Sequence, residues 1–562
     1  MPEYLSPGVY VEEVDRGPKP IEGVGTAMAA FVGFSEKAEY MRQIDGELVT
    51  QDLLNRPQLV TNWSQYVERF GSFVAGTYMP HAVYGYFNNG GSRCYVVSVK
   101  TIGKAQAALL GSDGKPYILA RAKQAGFEGM RLRVKVEIPQ LPEPKPAAKP
   151  KSETKDKDDK EEEDKAAGSG STESSKQPPF TLVVERQGTN GAWVERERLS
   201  DVTLAEVEQE EAGKQVEVLY RNNRAPEWIE LVIPPDTKAP LARMWPREQQ
   251  QSLNLEQKQL APPKSQDFRG DVSERSGVEG LEVLDDVTMV AVPDLMTKMP
   301  GEKLDLDMVK AVQTAMIAHC ERLGDRVAVL DAPPDMTPQE IKKWRMDTAG
   351  FDSTYAALYY PWIQVDDPAE GRPIHIPPSG HMAGIWARSD NTRGVHKAPA
   401  NEIVQGAMGL AYNTTKGEQD TLNPNGVNCI RAFPGRGIRV WGARTLSSDP
   451  AWRYINVRRL FNYVEKSIEY GTQWVVFEPN DMMLWARVRR DVSAFLTTVW
   501  SDGALFGATP TEAFYVKCDA ELNPPESRDL GRLIIEIGLC PVKPAEFVIF
   551  RISQWAGPNA MA

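Results

Sequence analysis

Between residues 141 and 179 the sequence loses any means of building a core. It passes from Pro/Lys through Lys/Asp/Glu to Gly/Ser, and from Lys155 to Lys165 it contains no apolar residue. Burial cannot offset the ordering entropy of such a stretch, so it predicts a disordered loop that compact units must flank. On its N-terminal side Leu132, Val134, Val136 and Ile138 alternate with charged residues, a strand with one wet face. Short strands resume around 180–184, 193–198, 216–220 and 228–232. The region 101–280 therefore reads as a β-rich insertion whose tip is the charged loop 141–179. A chain of 562 residues also exceeds what one hydrophobic core sustains, so several domains are expected.

From about Leu281 the texture becomes α/β. Met289–Val292, Arg326–Leu330 and Tyr355–Tyr360 are apolar runs of strand length. Val309, Val312, Met316 and Cys320 mark a helix face between the first two. Thr337-Pro338-Gln339-Glu340 is a capping box with proline at the first helical position. Alternating strands and helices imply a parallel sheet with right-handed crossovers. Further on, Val457, Leu460, Phe461, Val464 and Ile468 line a helix, and Leu484, Val488, Val492, Phe495 and Val499 line another that Asn480 is expected to cap. Strands are expected at 474–477, 513–517 and 533–537.

Both ends of the chain are alternating, apolar and separated by prolines from the nearest globular element. Val9, Tyr10, Val11 and Glu12 lie in the first, and Phe547, Val548, Ile549, Phe550, Arg551 and Ile552 form the second. Strands of this kind either pair within their own domain or add to a sheet of a neighbouring chain. The residue pattern leaves both alternatives open.

Composition narrows the function classes. With 65 Lys+Arg against 77 Asp+Glu the net charge is −12, which argues against nucleic acid as the main partner. The cysteines at 94, 320, 429, 518 and 540 form no CxxC pair, and most of them read as buried thiols. The N-terminus lacks the pattern of a secretory signal, and no run reaches the ~20 apolar residues that span a bilayer, so no direct membrane insertion is expected. Release from a cell would then require lysis or another signal-free route.

The α/β region invites a hydrolase reading, because Asp294 and Asp331 follow strands and Ser379 and His381 lie downstream. Ser379 sits in Pro377-Pro378-Ser379-Gly380-His381 rather than a G-x-S-x-G elbow, and nothing signals an oxyanion hole. His375, His381 and His396 lack metal-ligand spacing, and Gly435-Arg436-Gly437 lacks the third glycine of a dinucleotide loop. No Walker loop occurs. The expectation is a chain that is not an enzyme and takes no cofactor or metal.

Several long motifs occur in order that resemble one family. They include the block from Pro377 to Asp390 continuing through Arg393 to Asn401, then Asn423-Pro424-Asn425-Gly426-Val427-Asn428 and Val440-Trp441-Gly442-Ala443-Arg444-Thr445-Leu446. Tyr454 to Leu460, Val476-Phe477-Glu478-Pro479-Asn480, Pro544-Ala545-Glu546-Phe547 and the opening Pro7-Gly8-Val9-Tyr10-Val11-Glu12-Glu13 complete the set. They resemble the sheath proteins of contractile phage tails, tailocins and extracellular contractile injection systems. The likeness covers the first hundred or so residues and everything from about 281, and leaves 101–280 unmatched.

The resemblance implies an α/β and α+β multidomain fold. It would comprise an N-terminal connector arm (1–20), the first part of an α/β core (21–100), the β-rich outer insertion (101–280), a subtilisin-like α/β domain without protease function (281–445) and a C-terminal assembly domain (446–562). It also implies strand exchange between subunits through both ends, stacked rings or a helix around an inner tube protein, and baseplate and terminal cap proteins as partners. Sheath paralogues sharing the lattice stay an open alternative, and assembly is expected in a bacterial cytoplasm. A non-contractile tube protein is the weaker alternative in this class. Arg458 and Arg459, adjacent on a helix, are expected either on a solvated face or in contact with the tube or a neighbour. The last domain is expected to line the lumen.

Overall fold

Eight strands form the central sheet, and alternation of their side chains divides the core into two layers. In chain order they are β1 (Ala29–Ser35), β2 (Gln58–Val60), β3 (Cys94–Thr101), β4 (Met289–Ala291), β5 (Val327–Asp331), β6 (Ala356–Tyr360), β7 (Val427–Phe433) and β8 (Gly437–Val440). They lie in the order β8-β7-β6-β5-β4-β1-β3-β2. The six inner strands run parallel, and β2 and β8 close the edges antiparallel. The computed structural model describes residues 20–44, 47–139, 178–188, 190–209, 213–235, 237 and 239–552. The predicted charged loop lies almost wholly outside them, as does the stretch containing Val9, Tyr10, Val11 and Glu12.

Ala30, Val290, Leu330 and Leu358 point to one face, where helix α2 (Leu306–Leu323) lays Val309, Val312, Met316 and Cys320 against them. The expected helix face is thus observed. Asp305 caps α2 by accepting from the Asp307 and Met308 amides, and Gly324 ends it in the left-handed conformation. Phe31, Val96, Val329 and Tyr359 point the other way, to helices α1 (Met79–Asn88) and α3 (Ser379–Arg393). The capping box at Thr337 starts a short helix, Pro338–Lys343, with both reciprocal hydrogen bonds made.

Between β3 and β4 the chain forms two antiparallel sheets. One orders the strands 213–219, 193–209, 180–187, 132–137 and 249–252, and the other 229–232, 116–125 and 104–110. Leu132, Val134, Phe180 and Leu182 of these sheets are buried in the same apolar cluster as Val97 and Val290 of the central sheet.

After β8 come α4 (Ile455–Gly471) and α5 (Met482–Ser501), joined by a core of Leu460, Val464, Leu484, Val488, Val492 and Phe495. A hairpin of β9 (Phe514–Lys517) and β10 (Glu536–Leu539) packs on them. Two expectations are corrected here. Residues 473–475 form a 3-10 turn rather than a strand, and among the described residues no strand pairs with them. Asp481, not Asn480, caps α5 by accepting from the Leu484 amide at 2.8 Å. Four of the five cysteines are buried, in line with the expectation for most of them, and Cys540 is exposed.

Candidate functional site

The polar residues that suggested chemistry are committed to the fold. Asp294 accepts from the amides of Phe34 (2.6 Å), Tyr78 (2.6 Å) and Met79 (3.1 Å) and from Thr297 Oγ1 (2.8 Å). It ties β1 to the start of α1. Asp331 accepts from the Ser379 amide at 2.8 Å and so fastens the start of α3 to the end of β5. Burial pushes its carboxyl up to about 7. Ser379 and His381 are two positions apart on α3, a spacing that turns them to different directions. His381 faces Gly85 of α1, where a Cβ would lie 2.3 Å from its ring, and burial beside His81 pushes it down to about 3. The structure therefore does not assemble Asp331, Ser379 and His381 into a relay. Among the described residues, His375, His381 and His396 do not come together as metal ligands either.

The surface is most unusual at the C-terminal end. Phe547, Val548, Ile549, Phe550 and Ile552 are 71–94% exposed, in an extended run that pairs with no strand of its own chain among the described residues. Its root is held firmly. Pro541 bridges Leu505, the Val542 amide donates to the Ala504 carbonyl, and Asn456 Nδ2 donates to the Val542 carbonyl at 3.2 Å. Glu546 then meets three side chains. Arg444 donates to both oxygens (2.9 and 2.6 Å), Asn423 Nδ2 to Oε1 (2.6 Å) and the Tyr454 hydroxyl to Oε2 (3.0 Å). Partial burial raises the Glu546 carboxyl, but the hydrogen bonds from Arg444 and Asn423 outweigh it and hold it below its ordinary value.

The other end enters the fold along α4. Ile21 packs on Gly471, the Val24 amide donates to Ser467 Oγ (3.1 Å), and Gly23 lies against the Tyr463 ring. Thr26 Oγ1 donates to Asp390 at 2.6 Å, and Arg459 donates to both Asp390 oxygens (2.9 and 2.6 Å) and to the Thr26 carbonyl (2.9 Å).

This corrects the expectation for Arg458 and Arg459. They are 5% and 4% exposed, neither on a solvated face nor free to meet a tube. Arg459 pairs with Asp390 over the Trp386 ring. Arg458 bonds Asn462 and Glu465 and lies between the rings of Tyr355 and Trp452. Sequence reading missed the roles of Glu546, Arg444 and Asp390 because the ion pairs Arg444–Glu546 and Arg459–Asp390 join residues 102 and 69 apart, where no periodicity reports them.

These features define a multidomain mixed α/β chain with the polar residues that suggested chemistry turned inward and an exposed apolar run at 547–552. Residues 287–446 match the phage tail sheath protein central domain, and residues 447–554 match the phage tail sheath C-terminal domain. Residues 287–554 are thus those of the phage tail sheath family.

The tail sheath protein of Vibrio phage KVP40 is 27% identical over 207 residues, which is 36% of this chain and 30% of that protein. That of Burkholderia phage BcepMu is 28% identical over 253 residues, 42% of this chain and 51% of that protein. The match thus spans about a third to a half of these relatives' lengths. Among solved structures, the PVC sheath complex of an extracellular contractile injection system in its contracted state superposes with a TM-score of 0.55 at 22% identity, over 99% of both chains. The contracted helical sheath of the anti-feeding prophage gives 0.53 at 22%, over 98% of this chain and 99% of that one. At this identity the likeness is one of fold.

Proposed function

We propose that this chain is the repeating subunit of a contractile sheath: copies stack around an inner tube, and the lattice shortens to drive the tube through a target envelope. The observation that carries the reading is the extended apolar run 547–552, unpaired among the described residues, leaving a root tied down by Glu546. A strand with free donors and acceptors is satisfied by adding to a sheet of another copy. A heterologous contact of that kind generates rings where its rotation closes and helical filaments where it does not. Val9 to Glu12 would serve the same purpose at the other end.

The division at residues 20, 100, 280 and 445 gives such a subunit its parts. Residues 281–445 would keep a subtilisin-like arrangement without proteolysis, which the inward use of Asp331 and Ser379 supports. Residues 101–280 would face outward and residues 446–562 the lumen. Baseplate and cap proteins would terminate the stack, with assembly in a bacterial cytoplasm as part of a phage tail or tail-like particle. Contraction in this scheme releases energy stored in lattice packing, a bistable arrangement joined by hinged ties.

Deleting residues 547–562 tests it. The chain is expected to stay folded and to lose filament formation in electron micrographs. Filaments of normal length from the truncated chain would sink the reading.

A further inference from the structure

The N-terminal root runs along a single stripe of α4. Arg459, Tyr463, Ser467 and Gly471 recur every four residues and therefore share one helix face. They meet Thr26, Gly23, Val24 and Ile21 respectively, so from Thr26 at one end to Ile21 at the other the root runs opposite to the helix. The C-terminal root converges on the other end of the same helix. Tyr454, the residue before α4, donates to Glu546, and Asn456 in its first turn donates to the Val542 carbonyl. One rigid element of 17 residues, about 25 Å long at 1.5 Å per residue, thus carries the roots of both chain ends.

We propose that Glu546 is the anchor of the C-terminal connector. Held by Arg444, Asn423 and Tyr454, it fixes where the strand Phe547–Ile552 leaves the chain and delivers any pull on it to α4, which passes the load to the N-terminal root. This rests on the reading that the strand joins a neighbouring copy.

The chemistry suits the task. A carboxylate gripped in bidentate fashion by a planar guanidinium is geometrically specific as well as strong, and Arg444 and Glu546 are 8% and 18% exposed, so water competes little. The strand beyond Glu546 has no other hold on its own chain among the described residues. A pull on it is therefore taken first by this carboxylate, which passes it through Tyr454 to α4 and through Arg444, bonded to Asn428 of β7, to the eight-stranded sheet near its edge. The parallel tie Arg459–Asp390–Thr26 fixes the other root to α3 and α4 together. Domains could then reorient while the distance between the two roots stays constant.

Glu546→Gln keeps the size but loses the charge and one bidentate acceptor, and Glu546→Ala removes the tie. Hydrogen exchange on the unassembled chain is expected to quicken at least about tenfold for the Val542 and Cys540 amides in both variants, with the α4 and central-sheet amides unchanged. In sheath preparations the variants are expected to assemble and then fragment on contraction. Unaltered exchange at 540–542 would overturn the anchor, whether or not the chain forms sheaths. Quickened exchange together with intact, full-length contracted sheaths would overturn the load path. Failure of the unsubstituted chain to form any sheath would instead remove the functional reading, leaving the exchange result to decide the anchor.

Discussion

Arg459 and Asp390 are both almost fully buried, and each satisfies the other. Replacing Arg459 by Met leaves a carboxylate in the interior with only the Thr26 hydroxyl for company. Breaking one side of such a pair costs about 3–5 kcal/mol, so Arg459→Met is expected to lower the unfolding free energy by about that amount, read as a lower urea midpoint at unchanged slope. A change below about 1 kcal/mol would show the pair to be dispensable to folding. Asp331 makes a different prediction. Its proton is lost near 3.8 in the unfolded chain and near 7 in the folded one. Between those values the unfolded chain binds fewer protons, so stability falls as pH rises through the window and levels off above about 7. Asn at 331 has no such proton. Thermal unfolding followed from pH about 4 to about 7 is expected to show that decline in the unsubstituted chain, and its absence in Asp331→Asn.

At the scale of elements, α1 and α3 touch through glycine. A Cβ at Gly380 would sit 2.3 Å from the Ala82 backbone, and one at Gly384 would sit 2.5 Å from the Tyr86 carbonyl. Neither neighbour is a flexible side-chain end, so Gly380→Ala must push the helices apart. The expected loss is about 1–3 kcal/mol, read as a lower denaturation midpoint with the slope unchanged. The tight contact was invisible in the sequence, where Gly380 and Gly384 simply lower helix propensity. What the sequence did disclose was local. The face Val309–Val312–Met316–Cys320, the capping box at Thr337 and the apolar stripe of α4 are all present as expected. Trp474 to Phe477 has the composition of a strand but pairs with none among the described residues, and tertiary context overrode its propensity. Arg458 and Arg459 look surface-bound when only their own helix is considered. Their partners Trp386, Asp390, Tyr355 and Trp452 come from other segments, and only the folded chain brings them there.

For the molecule as a whole, the two ends have different partners if copies join head to tail. A chain truncated after Glu546 is expected to keep its core, since Phe547, Val548, Ile549, Phe550 and Ile552 bury little surface in their own chain. Its melting temperature is therefore expected to match that of the full chain within a degree or two, as surface changes rarely exceed about 0.5 kcal/mol. Such a chain can still receive a neighbour's strand but offers none itself. In a heterologous polymer each incorporated copy then breaks a tie and weakens growth beyond it. Adding the truncated chain to the full one is expected to shorten the filaments progressively as its fraction rises, by micrograph length distributions at fixed total concentration. Lengths independent of that fraction would mean that the strand Phe547–Ile552 does not tie one copy to the next. A truncated chain that melts well below the full one would mean that the strand serves its own fold instead.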